Sequence, residues 1–259
     1  MLNNDELSLI MDNEIPKYLE DIQNNTPWDF LNEVLYNLCK KNPEHDDAKI
    51  ILSKTLIIGR VYAAALERNA IKKKNRETVV ALTDEIESSL GDDFYLEQVV
   101  PRFKSFFNRE EIKALLNNIS DKLSRRDALQ LQSKFATEIK ELKKGGKTSF
   151  SSKYLHFHFP NQFYIYDSRA QKALPYLKLY IESKLGKNIT YNMCALHENE
   201  IQDKNIEYIE FENKCHALKH ELARMKINCT NRQFDRVLLL IANSIIRYET
   251  KRKRQSKSV

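Results

Sequence analysis

Apolar residues recur along most of this chain at intervals of three and four, the spacing that gathers them on one face of a helix. Thr26-Pro27-Trp28-Asp29 marks a helix start, with a threonine cap, a proline in the first turn and an acid three residues after the cap. Leu31, Val34, Leu35 and Leu38 follow at helical spacing, so that face is expected to be buried. A longer helix is predicted over 46–69, with an apolar, small-residue centre at 56–66 suited to packing on several sides. Gly59 in its middle costs about 1 kcal/mol relative to alanine, which close approach of another helix would justify. Lys72-Lys73-Lys74-Asn75-Arg76 interrupts the pattern as an exposed turn. Further helices are predicted over 77–90, 95–107, 109–123, 126–142, 149–157, 168–185, 206–225 and 231–248, with a less regular connection over 186–205. Residues 251–259 hold five basic side chains and almost nothing apolar, and are expected to form a flexible basic tail. There is no internal repeat. The organisation expected is one helical domain over 1–250, or two lobes with the site between them.

Composition sharpens this into an all-α fold. Only 5 glycines and 6 prolines stand among 259 residues, too few for the many tight turns of a β-rich protein. The formal charge of +6 and a sequence pI of about 8.9 favour an anionic surface as partner, since lysine and arginine release counterions when they neutralise phosphates. The four cysteines, Cys39, Cys194, Cys215 and Cys229, are scattered without a CxxC pair and read as reduced thiols. No apolar run is long enough to cross a bilayer and no signal-peptide pattern opens the chain, so a soluble, cytoplasmic protein is expected.

The densest chemistry lies in Gly145-Gly146-Lys147-Thr148-Ser149-Phe150-Ser151-Ser152-Lys153-Tyr154-Leu155, followed by Tyr164-Ile165-Tyr166-Asp167. Glycines let backbone N–H groups approach an oxygen with no Cβ in the way, and a following helix adds its unpaired amides and positive dipole end. Gly145 and Gly146 supply the first part, while Lys143, Lys144 and Lys147 supply charge for a phosphate. The same residues also suit an ordinary helix end followed by a new cap. Ser151 and Leu155 fall on one side of the helix, and Asp167 can cap the next helix, which Ser168-Arg169-Ala170 opens. His156 and His158 flank Phe157 and suit either a base edge or phosphate, or packing and helix-end hydrogen bonds. Phe157, Phe159, Phe163, Tyr164 and Tyr166 form an aromatic cluster that suits base stacking or core. Cys215, His216 and His220 do not make a zinc signature, and no metal or cofactor is expected.

This glycine hairpin, small-faced helix, aromatic loop and aspartate resemble the helix-hairpin-helix (HhH-GPD) superfamily of DNA glycosylases, especially the 8-oxoguanine glycosylase-like branch. The likeness is concentrated in residues 142–174. It implies that Gly145, Gly146, Lys144, Lys147 and Arg169 contact DNA phosphate, and that Asp167 works on the glycosidic bond. Asp167 lies 18 positions after Ser149 and 20 after Lys147, and in the family the aspartate follows by some 18 to 20 residues. Bifunctional relatives carry a nucleophilic lysine where the ungapped register puts Ser149, and serine cannot form a Schiff base. That implies a monofunctional enzyme, with Ser149, Lys153 and Lys147 as secondary catalytic candidates. A late helix contributes to the base pocket in this branch, so Phe234 or Asp235 is expected to line it beside His156 and His158. The implied partner is double-stranded DNA with a damaged or modified base, bound by a monomer, in repair or in defence against foreign DNA. Two other readings stand beside it: a glycosylase/lyase using Lys147 or Lys153, and a non-catalytic DNA- or partner-binding module.

Overall fold

The structure, a computed structural model, describes residues 3–62, 64, 66, 94–120, 125–142, 147–191 and 205–255, without the side chains of 117–120 and Lys147. The described residues contain helices and connecting turns and no strand, so the fold is all-α. In chain order the helices are α1 (Asn4–Leu9), α2 (Ile15–Glu20), α3 (Pro27–Lys41), α4 (Ala48–Leu56), α5 (Val100–Phe107), α6 (Glu110–Ser120), α7 (Arg125–Leu142), α8 (Lys147–His158), α9 (Ser168–Leu185), α10 (Ile206–Arg224) and α11 (Asn231–Gln255). Short π-helical turns, Ile10–Glu14, Ile57–Val61 and Tyr95–Val99, join α1 to α2, extend α4 and lead into α5. The helix expected over 77–90 and the turn at Lys72–Arg76 lie outside the described residues.

Several boundaries follow from local chemistry. At the start of α3 the Asp29 carboxylate accepts from the Thr26 backbone N–H at 2.5 Å and from its hydroxyl at 2.9 Å, closing the expected capping box. Asp47 caps α4 through the N–H of Lys49. Helix α9 ends at Gly186, whose φ of +62° suits a residue without a Cβ and whose N–H reaches the Glu182 carbonyl. The long helix expected over 46–69 is described only as α4 and its π-turn, ending at Val61. Gly59 is buried in that turn, which packs on α8. At the other end, α11 continues through Gln255, so five residues of the expected tail are helical. Lys253 and Arg254 in its last turn favour the negative end of the helix dipole.

The chain divides into two compact units. One comprises 1–25, 164–194 and 209–259, and its core centres on α9 against α11. Ala170, Ala173, Leu174, Leu177 and Ile181 of α9 are buried there, as are Val237, Leu238, Ile241, Ala242 and Ile245 of α11. Small side chains in both stripes permit close helix approach. The other comprises 26–163 and 195–208, and its core is built around α8. Phe103, Phe106 and Phe107 of α5 meet Phe135 of α7, and Phe103 and Phe107 also meet Tyr154 of α8, with ring centroids 5.0–5.8 Å apart in edge-on, tilted and stacked contacts.

Candidate active site

Helix α8 begins at Lys147, directly after the paired glycines, and is buried on nearly every side from Phe150 to Phe157. A helix so enclosed needs small residues where a neighbour comes close. Ser151 provides one: its hydroxyl accepts from Gln132 Nε2 of α7 at 3.0 Å and donates to the Thr148 carbonyl. The first turn of α8 sits in a polar network. Thr148 Oγ1 donates to Glu207 Oε2 at 3.2 Å and pairs with Asn205, which also donates to Gln132 Oε1. Buried amides and hydroxyls are thus satisfied by one another, and the helix start is fixed. Asn205 and Glu207 lie 57 and 59 positions from Thr148 and Gln132 lies on the preceding helix, so no local signal in the sequence could have found them.

Ser149 is half-buried in that first turn. Lys153, one turn on and almost fully buried, donates from Nζ to Ser149 Oγ at 2.7 Å. Two of the three secondary candidates therefore form a pair. Lys147 supplies backbone to the helix start, while Lys143, Lys144, Gly145 and Gly146 lie outside the described residues, as does the hairpin they were expected to form.

Asp167 stands at the N-cap of α9. Its Oδ1 accepts from the Arg169 backbone N–H at 2.8 Å and from Arg169 Nε at 3.2 Å, which fixes the carboxylate's rotamer. Its side chain keeps 19% of its surface exposed and that of Arg169 keeps 50%, so the pair remains accessible to a ligand. Arg169 was expected at phosphate, and its guanidinium is already turned towards Asp167. Asp167, Arg169 and Phe234 belong to the first unit; Ser149, Lys153, His156 and His158 belong to the second.

The base-pocket candidates are committed to packing. His156 is fully buried, with Nδ1 on the Phe163 carbonyl at 2.7 Å and Nε2 on the Tyr36 hydroxyl at 2.6 Å. A carbonyl accepts only, so Nδ1 carries the proton, and Nε2 accepts from Tyr36. His158 is half-buried, with Nδ1 on the Tyr154 carbonyl and Nε2 accepting from Lys54 Nζ at 3.1 Å. Burial first, and the Lys54 ammonium second, push the His158 imidazole down to about 3. His45 stacks on Phe107 at 3.7 Å and on His158 at 5.1 Å, and burial first, then the charges of His158 and Lys54, lower its imidazole as well. Lys54, itself lowered by burial, also donates to the Asn42 carbonyl. Phe234 is core, edge-on to Tyr164 at 5.9 Å. Of the aromatic cluster, Phe157 lies against Tyr36 and Tyr62, Tyr166 against Phe211, and Phe163, Tyr164 and Tyr166 are buried. Asp235, the other late-helix candidate, is buried and paired with Arg232.

Chemically, the arrangement offers one accessible carboxylate with an arginine on it and one serine with a lysine on it. Cys215 is buried, its thiol pushed well up chiefly by desolvation, whereas His220 is exposed beside Glu221. Among the described residues no group of three histidine, cysteine or acidic side chains converges as a metal site would, and no helix is long and apolar enough to cross a membrane. Comparison with known proteins finds no match to this chain among family models, curated proteins or solved structures.

Proposed function

We propose that this chain is a DNA glycosylase that hydrolyses the N-glycosidic bond of a damaged or modified base. The observation that carries the reading is the order of parts around α8: paired glycines, a helix opening at Lys147 with Ser149 in its first turn, then Asp167 capping the next helix. Breaking the bond between C1′ and the base nitrogen leaves positive charge on the sugar, as in glycoside hydrolysis. The Asp167 carboxylate stabilises that charge, held in one rotamer by Arg169. Water adds its oxygen to C1′ and gives up a proton to the carboxylate, while the base leaves with the bonding electron pair and takes up a proton. Arg169 doubles as a phosphate contact, since half of its side-chain surface stays open. The target must leave the stack to reach the carboxylate, a cost of about a few kcal/mol that is smallest at damaged or mispaired bases. The setting is repair, or defence against foreign DNA, and the substrate is duplex DNA.

One observation favours a second reading. Lys153 Nζ reaches back one helical turn to Ser149 Oγ, so an amine stands beside the position where bifunctional relatives hold their lysine. Attack by that amine, after it gives up a proton, on C1′ would form a C–N bond as the base leaves. The C1′–O4′ bond then opens with a proton passing to O4′, giving the Schiff base from which the 3′ phosphate is eliminated and the strand cut. The test is base release from a panel of damaged and modified duplexes, with borohydride added in parallel. Hydrolysis by water gives abasic sites that break only after alkali and no covalent adduct. A borohydride-trapped adduct lost in Lys153→Met would establish the lyase instead. No release from any duplex, with DNA binding intact, would leave a binding module.

A further inference from the structure

Helix α3 carries two apolar stripes, and among the described residues only one of them is used. Leu35 and Cys39, with Asn32, are buried in the core of the second unit. The neighbouring stripe stays open, with Phe30 71%, Val34 47% and Leu31 42% exposed, and Trp28 58% exposed at the helix start. Leu38 continues the row at half burial. Rows i, i+4, i+8 run along a helix surface side by side. Phe30, Val34 and Leu38 form one such row, and Glu33, Asn37 and Lys41 form the row beside it. Contiguous exposed aromatic and aliphatic surface of this kind marks an interaction site.

The charges around the stripe select its occupant. Asp29 and Glu33 stand in its amino-terminal half, Lys40 and Lys41 in its carboxy-terminal half, and Glu33, Lys40 and Lys41 are exposed. The charges cancel, and the exposed Glu33 carboxylate would face any polyanion laid along the stripe, so DNA gains nothing there. The pattern is self-complementary in one orientation. When a second copy of α3 lies antiparallel, Glu33 of each chain comes nearly level with Lys41 of the other and Val34 of each with Leu38 of the other, with Phe30 at the two outer ends. A parallel copy would oppose like charges. We propose that this face of α3 is an isologous, antiparallel interface between two copies of the chain, in place of the monomer expected from the sequence.

The test is sedimentation of the full chain over a dilution series, with helix content checked by circular dichroism. The wild type is expected to dimerise reversibly, and Val34→Asp to raise the dissociation constant by about tenfold or more with unchanged helix content. Glu33→Lys and Lys41→Glu are each expected to weaken the dimer, and the two together in one chain to restore it. Emission from Trp28, the only tryptophan, should shift to shorter wavelength with the dimer. A wild type that stays monomeric at every concentration would overturn the proposal, as would a dimer indifferent to Val34→Asp or a double swap that recovers nothing. A monomer whose Trp28 emission is already shifted would assign the stripe to another occupant and equally overturn it.

Discussion

His156 and His158 stand two positions apart on α8, and each is fixed by a side chain 120 or 104 positions away, Tyr36 or Lys54. With His158 held to about 3 and His45 lowered beside it, both rings are neutral in the fold, whereas in the unfolded chain they take up protons below about 6.5. The unfolded state then binds more protons, so this stability is complete above that pH and is lost as pH falls towards 3. The urea midpoint is expected to decline across that window, and His45→Phe to flatten part of the decline; a midpoint unchanged by acid would contradict the assignment. Tyr154 gives a second prediction. Its ring packs among Phe103, Phe107, Phe135 and Phe150, and its hydroxyl is buried with no hydrogen-bond partner among the described residues. Tyr154→Phe keeps the packing and is expected to be neutral or stabilising by up to about 1 kcal/mol, whereas a loss above about 2 kcal/mol would reveal a partner for the hydroxyl. None of these partnerships is legible in sequence, because a histidine that reads a base and one that packs in a core look alike until the distant tyrosine or lysine arrives.

Helix ends were far more legible, because a cap is a local device. Thr26 with Asp29, and Asp167 before Ser168, announce their helices in the residues themselves, and both hold. The stop of α10 is less visible. Lys226 N–H bonds the Ala223 carbonyl and Ile227 N–H the Leu222 carbonyl, a Schellman arrangement that puts Lys226 at φ +65°, where glycine is usual. Lys226→Gly is expected to stabilise by about 1 kcal/mol, and Gly186→Ala, at φ +62° with open space around it, to cost about 1–2 kcal/mol. Chemical denaturation of the two variants checks both signs, and a destabilised Lys226→Gly would mean that its side chain contributes more than its backbone loses. Faces were legible only in part. The apolar positions of α3 were expected to be buried as one face, but Leu31 and Val34 are exposed and Leu38 is half-buried, while Asn32 and Cys39 are buried with Leu35. A helix with two apolar stripes gives no local sign of which one the core will take.

At the scale of the molecule, the sequence announced helices throughout but gave no boundary between the two units, since one of them is assembled from three separated stretches of chain. Its amino-terminal stretch contributes Ile10, Ile15, Leu19 and Ile22 to the core, and Glu14 pairs with Arg247 and Tyr248 near the other end of the chain. Deleting residues 1–25 is therefore expected to unfold the first unit, Asp167 included, and a truncated chain that melts like the full one would contradict that. The basic excess predicts DNA affinity that falls steeply with salt. The central claim rests on one carboxylate. Base release by wild type should be measured beside Asp167→Asn, with duplex affinity and thermal unfolding recorded for both. Asparagine caps a helix about as well as aspartate, so the fold should survive the change. The account predicts alkali-dependent strand breaks from wild type and their loss in Asp167→Asn at unchanged affinity and stability. Equal release from the two proteins would contradict it.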